Sequence, residues 1–331
     1  MSELRWNPLL GTWTMVAANR QHRPDMPKGY CPFCPGEGKN VPENYEVYLY
    51  PNDFPALSEG YEGEEIMQPA AQALYHTEAA KGACEVILYS PLHEAKLYDL
   101  DVAHLTKLVD LWADRVRFYR NYPAVKYVFE FENKGVEVGV TMPHPHGQLY
   151  AYPFVPLKIR TELEQCKAYF ERQGRNLFSD MIAEEQQDGR RIVFETDSFS
   201  VFLPHFTDYP YGLFIVAKDK VLFIDELSAG QRSELADILK QVSGMFDALF
   251  DRPFPYMMCM HQGILNSPEW TGQEQFYRFH IEFYPPLRSA AAVKYYASSE
   301  MGAWAAANTR AVEETAAELR SALQKFKASQ I

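Results

Sequence analysis

The chain carries one sequence pattern twice, as CEVILYSPLHEAKLYDLDVAHLTKLVDLW at residues 84–112 and as GLFIVAKDKVLFIDELSAGQRSELADILKQV at residues 212–242. Each copy begins with an apolar run, passes through a loop and continues with apolar residues at helical spacing. Two further strand-like runs follow each copy, at 127–131 and 143–152 and at 255–261 and 278–285. The order strand, helix, strand, strand, used twice, predicts an α+β fold of antiparallel sheets packed with helices.

Both predicted helices have recognisable start signals. Ser228 and Gln231 have the spacing of a capping box, and Asp101 is the expected N-cap of the first helix. Residues 158–189, rich in Glu, Arg and Gln, predict one charged helix that joins the two halves, and residues 311–327 predict a surface helix. Neither segment carries a chemical motif of its own.

The composition describes a globular chain with room for two domain-sized units. Hydrophobic residues make up 47% of the 331 residues, and the duplication predicts halves at 1–157 and 158–331. The net charge of −12 argues against nucleic acid or an anionic membrane as a partner. We expect neither a bilayer-spanning run nor a signal peptide. Five cysteines, an odd number, do not resemble a disulfide framework, which predicts a cytoplasmic protein.

The strongest functional signal is TMPHPHGQ at residues 141–148. Proline fixes its own φ and disfavours helix in the preceding residue, so this backbone is extended. Side chains alternate along an extended chain, and His144 and His146 therefore share one face. Such a pair is typical of two metal ligands, or of one ligand beside a reactive imidazole. Gly147 lets the backbone approach a ligand closely.

The two repeats differ at this point. We align His144 with His280 and His146 with Glu282, so that the second copy lacks the second histidine. A duplicated structural ligand gives no reason for this asymmetry, whereas one nucleophile per subunit is sufficient. The comparison favours a chemical role for His146.

Cys31-Pro-Phe-Cys34 has the spacing of a zinc knuckle, which places two thiolates on one tetrahedral ion. The alternative is a redox pair or uncoordinated thiols, although no thioredoxin-like strand and helix surround the motif. His93 and His144 are the best placed residues to complete a Cys₂His₂ zinc site. A zinc-bound His144 would fix the strand that presents His146.

A second group of ligand-type residues lies in the other half. His280 and Glu282 share one face of a predicted strand, and His261 ends a neighbouring strand. Glu162, in the predicted linker helix, would complete a site for zinc or iron. The alternative is a buried, hydrogen-bonded cluster without metal.

Taken together, these motifs resemble the galactose-1-phosphate uridylyltransferase family of the histidine-triad superfamily. The resemblance covers nearly the whole chain, and the joint order of the motifs carries it. The matching pieces are NPLLGTW (7–13) with Arg20 and Arg23, CPFC (31–34), PNDF (51–54), SPLH (90–93), FENKG (131–135), PHPHGQ (143–148) and HIEFYPPLRS (280–289).

The resemblance implies two histidine-triad-like repeats in a half-barrel-like subunit, with His146 as the nucleophile that is uridylylated. Gln148 would contact the phosphoryl oxygens, and Thr141 would replace a family serine as a hydroxyl donor. It implies zinc on Cys31, Cys34, His93 and His144, and a second metal on Glu162, His261 and His280, with Glu282 in place of a histidine. The implied substrate contacts are Arg20, Arg23, Asn52, Asp53, Phe54 and Asn133 for nucleotide and phosphate, and Lys294 and Glu300 for the hexose.

The implied activity is exchange of UMP between UDP-glucose and galactose 1-phosphate by a ping-pong mechanism. The resemblance also implies a homodimer with shared sites, in which Arg20 acts on the partner's nucleotide. One alternative is an ADP-glucose or dinucleotide phosphorylase of the same superfamily, with phosphate as acceptor. Another is a zinc-stabilised nucleotide-binding protein without catalysis, which would form no covalent adduct.

Overall fold

A computed structural model of the chain describes residues 2–22, 30–36, 39–58, 66, 68–70 and 73–330. The described part contains five α-helices, which are α1 (Val102–Tyr119), α2 (Leu157–Gln173), α3 (Leu177–Asp188), α4 (Ala229–Leu249) and α5 (Val312–Ser329). Its strands are β1 (Ser2–Asn7), β2 (Thr12–Ala17), β3 (Tyr48–Pro51), β4 (Thr77–Ala79), β5 (Ala83–Leu88), β6 (Tyr127–Lys134), β7 (His146–Tyr152), β8 (Ile192–Glu195), β9 (Phe199–Phe202), β10 (Leu213–Ala217), β11 (Tyr256–His261), β12 (His280–Tyr284), β13 (Leu287–Ser289) and β14 (Ala292–Val293). None of the described helices combines the length and apolar character needed to cross a bilayer.

One open, nine-stranded sheet organises the molecule, in the order β3-β5-β7-β6-β11-β12-β10-β9-β8. Every pairing in it is antiparallel. The first repeat contributes β5-β7-β6 and the second contributes β11-β12-β10, so the two copies meet at β6 and β11 in mirrored order. The predicted α+β class with antiparallel sheet is confirmed, and β1, β2 and β4 form a smaller sheet.

The two long repeat helices supply the core beside this sheet. In α1 the apolar positions at helical spacing, including Leu105, Leu108 and Trp112, are at most 1% exposed. The predicted helix starts are confirmed, because the Asp101 carboxylate accepts a hydrogen bond from the His104 amide at 2.7 Å and Ser228 forms the capping box of α4.

The linker differs from its prediction, whereas the tail does not. Residues 158–189 form two helices, α2 and α3, instead of one. Gly174 ends α2 in the left-handed region at φ +67°, and its amide donates to the Phe170 carbonyl at 2.7 Å. Glycine tolerates this C-cap conformation without a steric penalty, which is why the chain turns here. The predicted surface helix of the tail is confirmed as α5.

The structure changes the correspondence between the repeats. His146 is the first residue of β7 and His280 is the first residue of β12. The Nδ1 atom of His146 lies 2.8 Å from the His144 carbonyl oxygen, and that of His280 lies 2.9 Å from the Arg278 carbonyl oxygen. His280 is therefore the counterpart of His146, and the alignment of His144 with His280 is wrong by two residues.

The sequence argument that the second repeat lacks a counterpart of His146 therefore does not hold. The second repeat retains the strand-initial histidine, and Glu282 takes the place of Gln148 two residues later. The asymmetry between the copies thus lies at the glutamine position. The chemical role of His146 has to be judged from its surroundings instead.

Candidate active site

His146 stands at the start of β7, where the proline-rich segment enters the sheet. Its Nδ1 donates a hydrogen bond to the His144 carbonyl oxygen, 2.8 Å away. A carbonyl can only accept, so this contact places the proton on Nδ1 and the lone pair on Nε2. An imidazole in this tautomer presents Nε2 as a nucleophile.

Gly147 allows the strand to pass directly over Tyr89. A Cβ atom at this position would lie 2.2 Å from the Tyr89 hydroxyl oxygen. Tyr89 is buried and its backbone amide donates to the Pro145 carbonyl at 3.0 Å, so it has little freedom to move away. The glycine of the motif is thus required by close packing next to His146.

The imidazole of His146 faces a cavity of about 380 Å³, here called the His146 cavity. Seven residues predicted from the sequence line it, namely Arg20, Asn52, Asp53, Phe54, Thr141, His146 and Gln148. Sequence reasoning missed further lining residues, of which Tyr30, Asn40 and Tyr50 are the polar ones. They lie in loops and on β3 without any motif, so only the fold brings them to the cavity.

Arg20 is held in place within its own chain. Its guanidinium donates to the Tyr150 hydroxyl at 2.6 Å and to the Phe54 carbonyl at 3.3 Å. Arg20 lines the cavity of the same chain as His146, and the expectation that it serves a partner's nucleotide stays a prediction. The predicted contact Arg23 lies outside the described residues.

The turn after β3 is shaped by its own side chains. The Asn52 side-chain oxygen accepts from the Phe54 amide at 2.9 Å, and the Tyr50 hydroxyl donates to Asp53 at 3.3 Å. Asparagine and aspartate commonly stabilise tight turns in this way. The turn presents polar atoms and an aromatic ring on one wall of the cavity.

Three predicted substrate contacts lie elsewhere. Asn133 lines a second cavity of about 310 Å³, which also borders His146. Lys294 lies 3.7 Å from Glu300 and over the Tyr296 ring. Among the described residues, neither Lys294 nor Glu300 lines either cavity beside His146.

Cys31, Cys34, His93 and His144 form the first cluster, with one ligand atom from each lying within 4.8 Å of the others. Cys34 Sγ is 3.4 Å from His93 Nδ1 and 3.6 Å from His144 Nδ1. Around tetrahedral zinc, with bonds of about 2.3 Å to sulfur and about 2.0–2.1 Å to nitrogen, adjacent ligands are about 3.6 Å apart. The residues present therefore fit a tetrahedral zinc ion.

The electrostatics of the first cluster agree with this fit. His144 Nε2 donates to the Ser90 carbonyl at 2.8 Å, so its Nδ1 lone pair faces the cluster. Burial lowers the pKa of His144 to about 4, which keeps the imidazole neutral. Burial, followed by the neighbouring Cys31, raises the pKa of Cys34 to about 11. A thiolate at this position therefore requires a cation beside it, which argues against a reactive redox pair.

Glu162, His261, His280 and Glu282 form the second cluster, again with ligand atoms within 4.8 Å of one another. The members come from α2, β11 and β12, and all but Glu162 are buried. His261 Nδ1 lies 2.8 Å from Glu162 Oε2, which is the distance of a direct hydrogen bond. The donor types suit zinc or iron.

Lys158 contacts the second cluster and was not predicted. Its ammonium lies 2.6 Å from Glu282 Oε2 and 3.6 Å from Glu162 Oε1. Burial acts to raise the pKa of Glu282, but His261 and Lys158 outweigh it, and the carboxylate stays charged. The sequence signal that could have identified Lys158 is its position one helical turn before Glu162.

Phe33, within the Cys31–Cys34 knuckle, connects the first cluster to the His146 cavity. Its ring centroid lies 5.9 Å from that of His144 and 5.3 Å from that of His146. Both imidazoles thus lie on one side of the segment, as the extended pattern predicts. Among the described residues, His146 belongs to neither cluster.

Comparisons with known proteins agree with this arrangement. The family model for the galactose-1-phosphate uridyl transferase N-terminal domain matches residues 1–156, and that for the C-terminal domain matches residues 162–330. A galactose-1-phosphate uridylyltransferase of Thermotoga maritima is 36% identical over 97% of this chain and 98% of the relative. The Saccharomyces cerevisiae enzyme of the same name is 32% identical over 88% and 87%.

Solved structures show the same relationship. A structure described as that of uridylyltransferase has a TM-score of 0.87 at 31% identity, and covers 98% of this chain and 99% of its own. An ADP-glucose phosphorylase from Arabidopsis thaliana shares the fold with a TM-score of 0.74 at 22% identity, over 97% of this chain and 99% of its own. By sequence and by structure, this chain belongs to the galactose-1-phosphate uridylyltransferase family.

Proposed function

We propose that this chain exchanges UMP between UDP-glucose and galactose 1-phosphate through a covalent uridylyl-histidine at His146. One observation carries the proposal. The His146 imidazole faces the His146 cavity with its Nδ1 proton bonded to the His144 carbonyl oxygen, so that Nε2 has the lone pair that attack on phosphorus requires.

The proposed reaction has two displacements. In the first, Nε2 attacks the α-phosphorus of UDP-glucose, and the bond from that phosphorus to the bridging oxygen breaks, releasing glucose 1-phosphate with the electron pair. In the second, a phosphate oxygen of galactose 1-phosphate attacks the same phosphorus. The phosphorus–nitrogen bond then breaks and returns its electron pair to Nε2, giving UDP-galactose.

The residues that line the His146 cavity can stabilise the negative charge on the phosphoryl oxygens during these two steps. Arg20, Gln148 and Thr141 offer a guanidinium, an amide and a hydroxyl on the same cavity as His146. Donors of this kind stabilise the oxygens of a phosphoryl group in transfer. The turn at Asn52, Asp53 and Phe54 supplies polar atoms and an aromatic face for the nucleoside.

We propose zinc at the first cluster, where four protein ligands leave no open position and the ion would be structural. Zinc there would anchor His144, and with it the carbonyl oxygen that orients His146. The second cluster has the donor set of a zinc or iron site.

We further propose a cytoplasmic homodimer in which a second copy completes the hexose site. Lys294 and Glu300 line neither cavity beside His146 within the described chain. Large apolar side chains near them are exposed, including Tyr295 and Trp304, and such residues are typical of interaction surfaces. All five cysteines have free thiols, which supports a reducing compartment.

The test is the intact mass of the protein after incubation with UDP-glucose or, separately, with ADP-glucose. A UMP adduct that disappears on addition of galactose 1-phosphate supports the proposal. An AMP adduct that phosphate removes would instead indicate a phosphorylase. Nucleotide binding without any adduct would indicate a binding protein without catalysis.

A further inference from the structure

We propose that the Lys158 ammonium competes with a divalent cation at the second cluster. In this chain the lysine supplies positive charge to Glu162 and Glu282, and a metal binds tightly only when Lys158 is displaced or removed. This proposal does not depend on the reaction assigned to His146.

The two clusters differ in spacing. In the first cluster the Cys34 sulfur lies 3.4 and 3.6 Å from two ring nitrogens, which is the edge length of a tetrahedral zinc shell. In the second cluster His261 Nδ1 and Glu162 Oε2 are 2.8 Å apart. Adjacent nitrogen and oxygen ligands of a tetrahedral ion lie about 3.3 Å apart. The His261–Glu162 pair therefore has the spacing of a direct hydrogen bond instead of that of two ligands on one ion.

Glu282 is the residue for which the two cations compete. Its side chain is 4% exposed, and a buried carboxylate needs a cation or several hydrogen-bond donors. Its Oε2 atom accepts from the Lys158 ammonium at 2.6 Å and from the Tyr284 hydroxyl. Its other oxygen faces His280 Nε2 at 3.4 Å. One of the two Glu282 oxygens thus already accepts a hydrogen bond from a cation.

Glu162 is drawn into the same network. Its Oε1 lies 3.6 Å from the Lys158 ammonium, and its Oε2 accepts from the Tyr277 hydroxyl at 2.9 Å in addition to its contact with His261. A metal on these carboxylates would stand a few ångströms from the ammonium. Two cations so close repel each other.

Lys158 can be displaced because of where it is anchored. It lies on the first turn of α2, and its side chain is 57% exposed although its ammonium reaches buried Glu282. Its ammonium also lies 4.7 Å from the centre of the Tyr284 ring. A long lysine stem allows the charge to swing towards solvent when a divalent cation arrives.

The experiment measures metal content, with no reliance on activity. Wild type, Lys158→Met and Lys158→Arg are stripped with a chelator, titrated with zinc or with iron(II), desalted and analysed by elemental mass spectrometry. We expect one tightly bound zinc in the wild type and in Lys158→Arg, and two in Lys158→Met. The affinity of the second equivalent should rise by about 10–100-fold in Lys158→Met.

Two further variants locate the effect. Lys167→Met removes an exposed lysine from the same helix and should leave the metal content at the wild-type value. Adding His280→Asn to Lys158→Met should abolish the extra equivalent. The proposal is overturned if wild type and Lys158→Met bind the second equivalent with equal affinity, or if folded Lys158→Met and Lys158→Arg both bind only one.

Discussion

His146 Nδ1 lies 2.8 Å from the backbone carbonyl oxygen of His144, and this hydrogen bond joins the two parts of the site. The His144 ring belongs to the first cluster, while its carbonyl oxygen fixes the tautomer and orientation of His146. Phe33 packs against both rings. Changes in the first cluster should therefore reach the His146 ring through one backbone carbonyl group.

Zinc affinity at the first cluster should depend steeply on pH. The pKa of Cys34 is raised to about 11 in the ion-free protein, so the thiol is protonated at neutral pH and zinc must displace that proton. Apparent affinity should fall about tenfold per released proton for each unit by which pH is lowered from 8 to 6. Competition titrations with a coloured chelator measure this slope.

The control for this titration is Glu171→Gln, which changes an exposed carboxylate on α2 that belongs to neither cluster. It should keep the wild-type affinity and slope. Cys34→Ser should remove most of the affinity. Binding that is independent of pH between 6 and 8 would show that the thiols are not the ligands.

Gly147→Ala should impair both stability and UMP transfer. The new methyl group would lie 2.2 Å from the Tyr89 hydroxyl oxygen, in a buried contact. We expect a loss of about 1–3 kcal/mol in the free energy of unfolding and of about 10–100-fold in the rate of adduct formation, because His146 is moved from its position. Denaturant unfolding and rapid-quench mass analysis measure the two effects.

A matched glycine tests whether the close contact is the cause. In Gly230→Ala, on α4, the nearest side chain to the new Cβ, that of Ser228, would be 4.0 Å away. The rate of adduct formation should therefore remain at the wild-type value, and the free energy of unfolding should not fall. Adding Tyr89→Phe to Gly147→Ala should restore part of the stability, since the hydroxyl is removed. Wild-type behaviour of Gly147→Ala would refute the packing argument.

Glu130→Gln should stabilise the protein at alkaline pH and not at acidic pH. Burial raises the pKa of Glu130 from 4.5 to about 8, so the folded state holds a neutral carboxyl where the unfolded chain is ionised. This raised pKa makes folding less favourable as pH rises from about 4.5 to about 8. The glutamine variant has no carboxyl group to ionise at this position and does not lose this stability. Its free energy of unfolding relative to that of the wild type should therefore increase by roughly 3–5 kcal/mol over that range.

Denaturant unfolding of both proteins at pH 5 and pH 8.5 gives the comparison. Glu132, whose pKa burial raises to about 7, is present in both and cancels in the difference. A stability difference that does not change with pH would contradict the assignment of a neutral Glu130.

Mixed dimers should distinguish residues that act within a chain from those that act across the proposed interface. Lys294 and Glu300 lie away from both cavities beside His146 among the described residues, so we expect a second copy to supply them. Mixing Lys294→Met with His146→Ala should regain about a quarter of wild-type exchange, because half the dimers are mixed and each has one complete site.

Arg20→Ala provides the opposite expectation. Arg20 lines the cavity of its own chain, so no mixed dimer of Arg20→Ala with His146→Ala contains a site with both residues intact. That mixture should remain inactive after subunit exchange. Recovery in the Arg20 mixture, or none in the Lys294 mixture, would reverse the assignment of residues to subunits.

Much of the site could be predicted because its chemistry is local in sequence. Proline spacing sets the backbone of residues 141–148, and a Cys-x-x-Cys motif brings two thiols together whatever the surrounding fold. The duplicated strand and helix pattern likewise predicts the sheet, because the spacing of apolar residues along a helix or strand shows which side of it is buried. These features needed no knowledge of tertiary contacts.

The features that sequence reasoning missed depend on tertiary contacts. Lys158 resembles any solvent-exposed lysine of a charged helix until Glu282 is placed beside it by β12. The alignment of the two repeats was also predicted wrongly, because His144 and His146 are two residues apart and either one can be aligned with His280. Only the hydrogen bond from each ring to its own backbone distinguishes the two.

The most direct test is the mass of the protein after exposure to UDP-glucose, measured for wild type and for His146→Ala. We predict a UMP adduct on His146 in the wild type, and in the variant a loss of exchange of about 10⁴-fold or more with unchanged zinc content. Peptide mapping that placed the nucleotide on another residue, or exchange at the wild-type rate by His146→Ala, would contradict it.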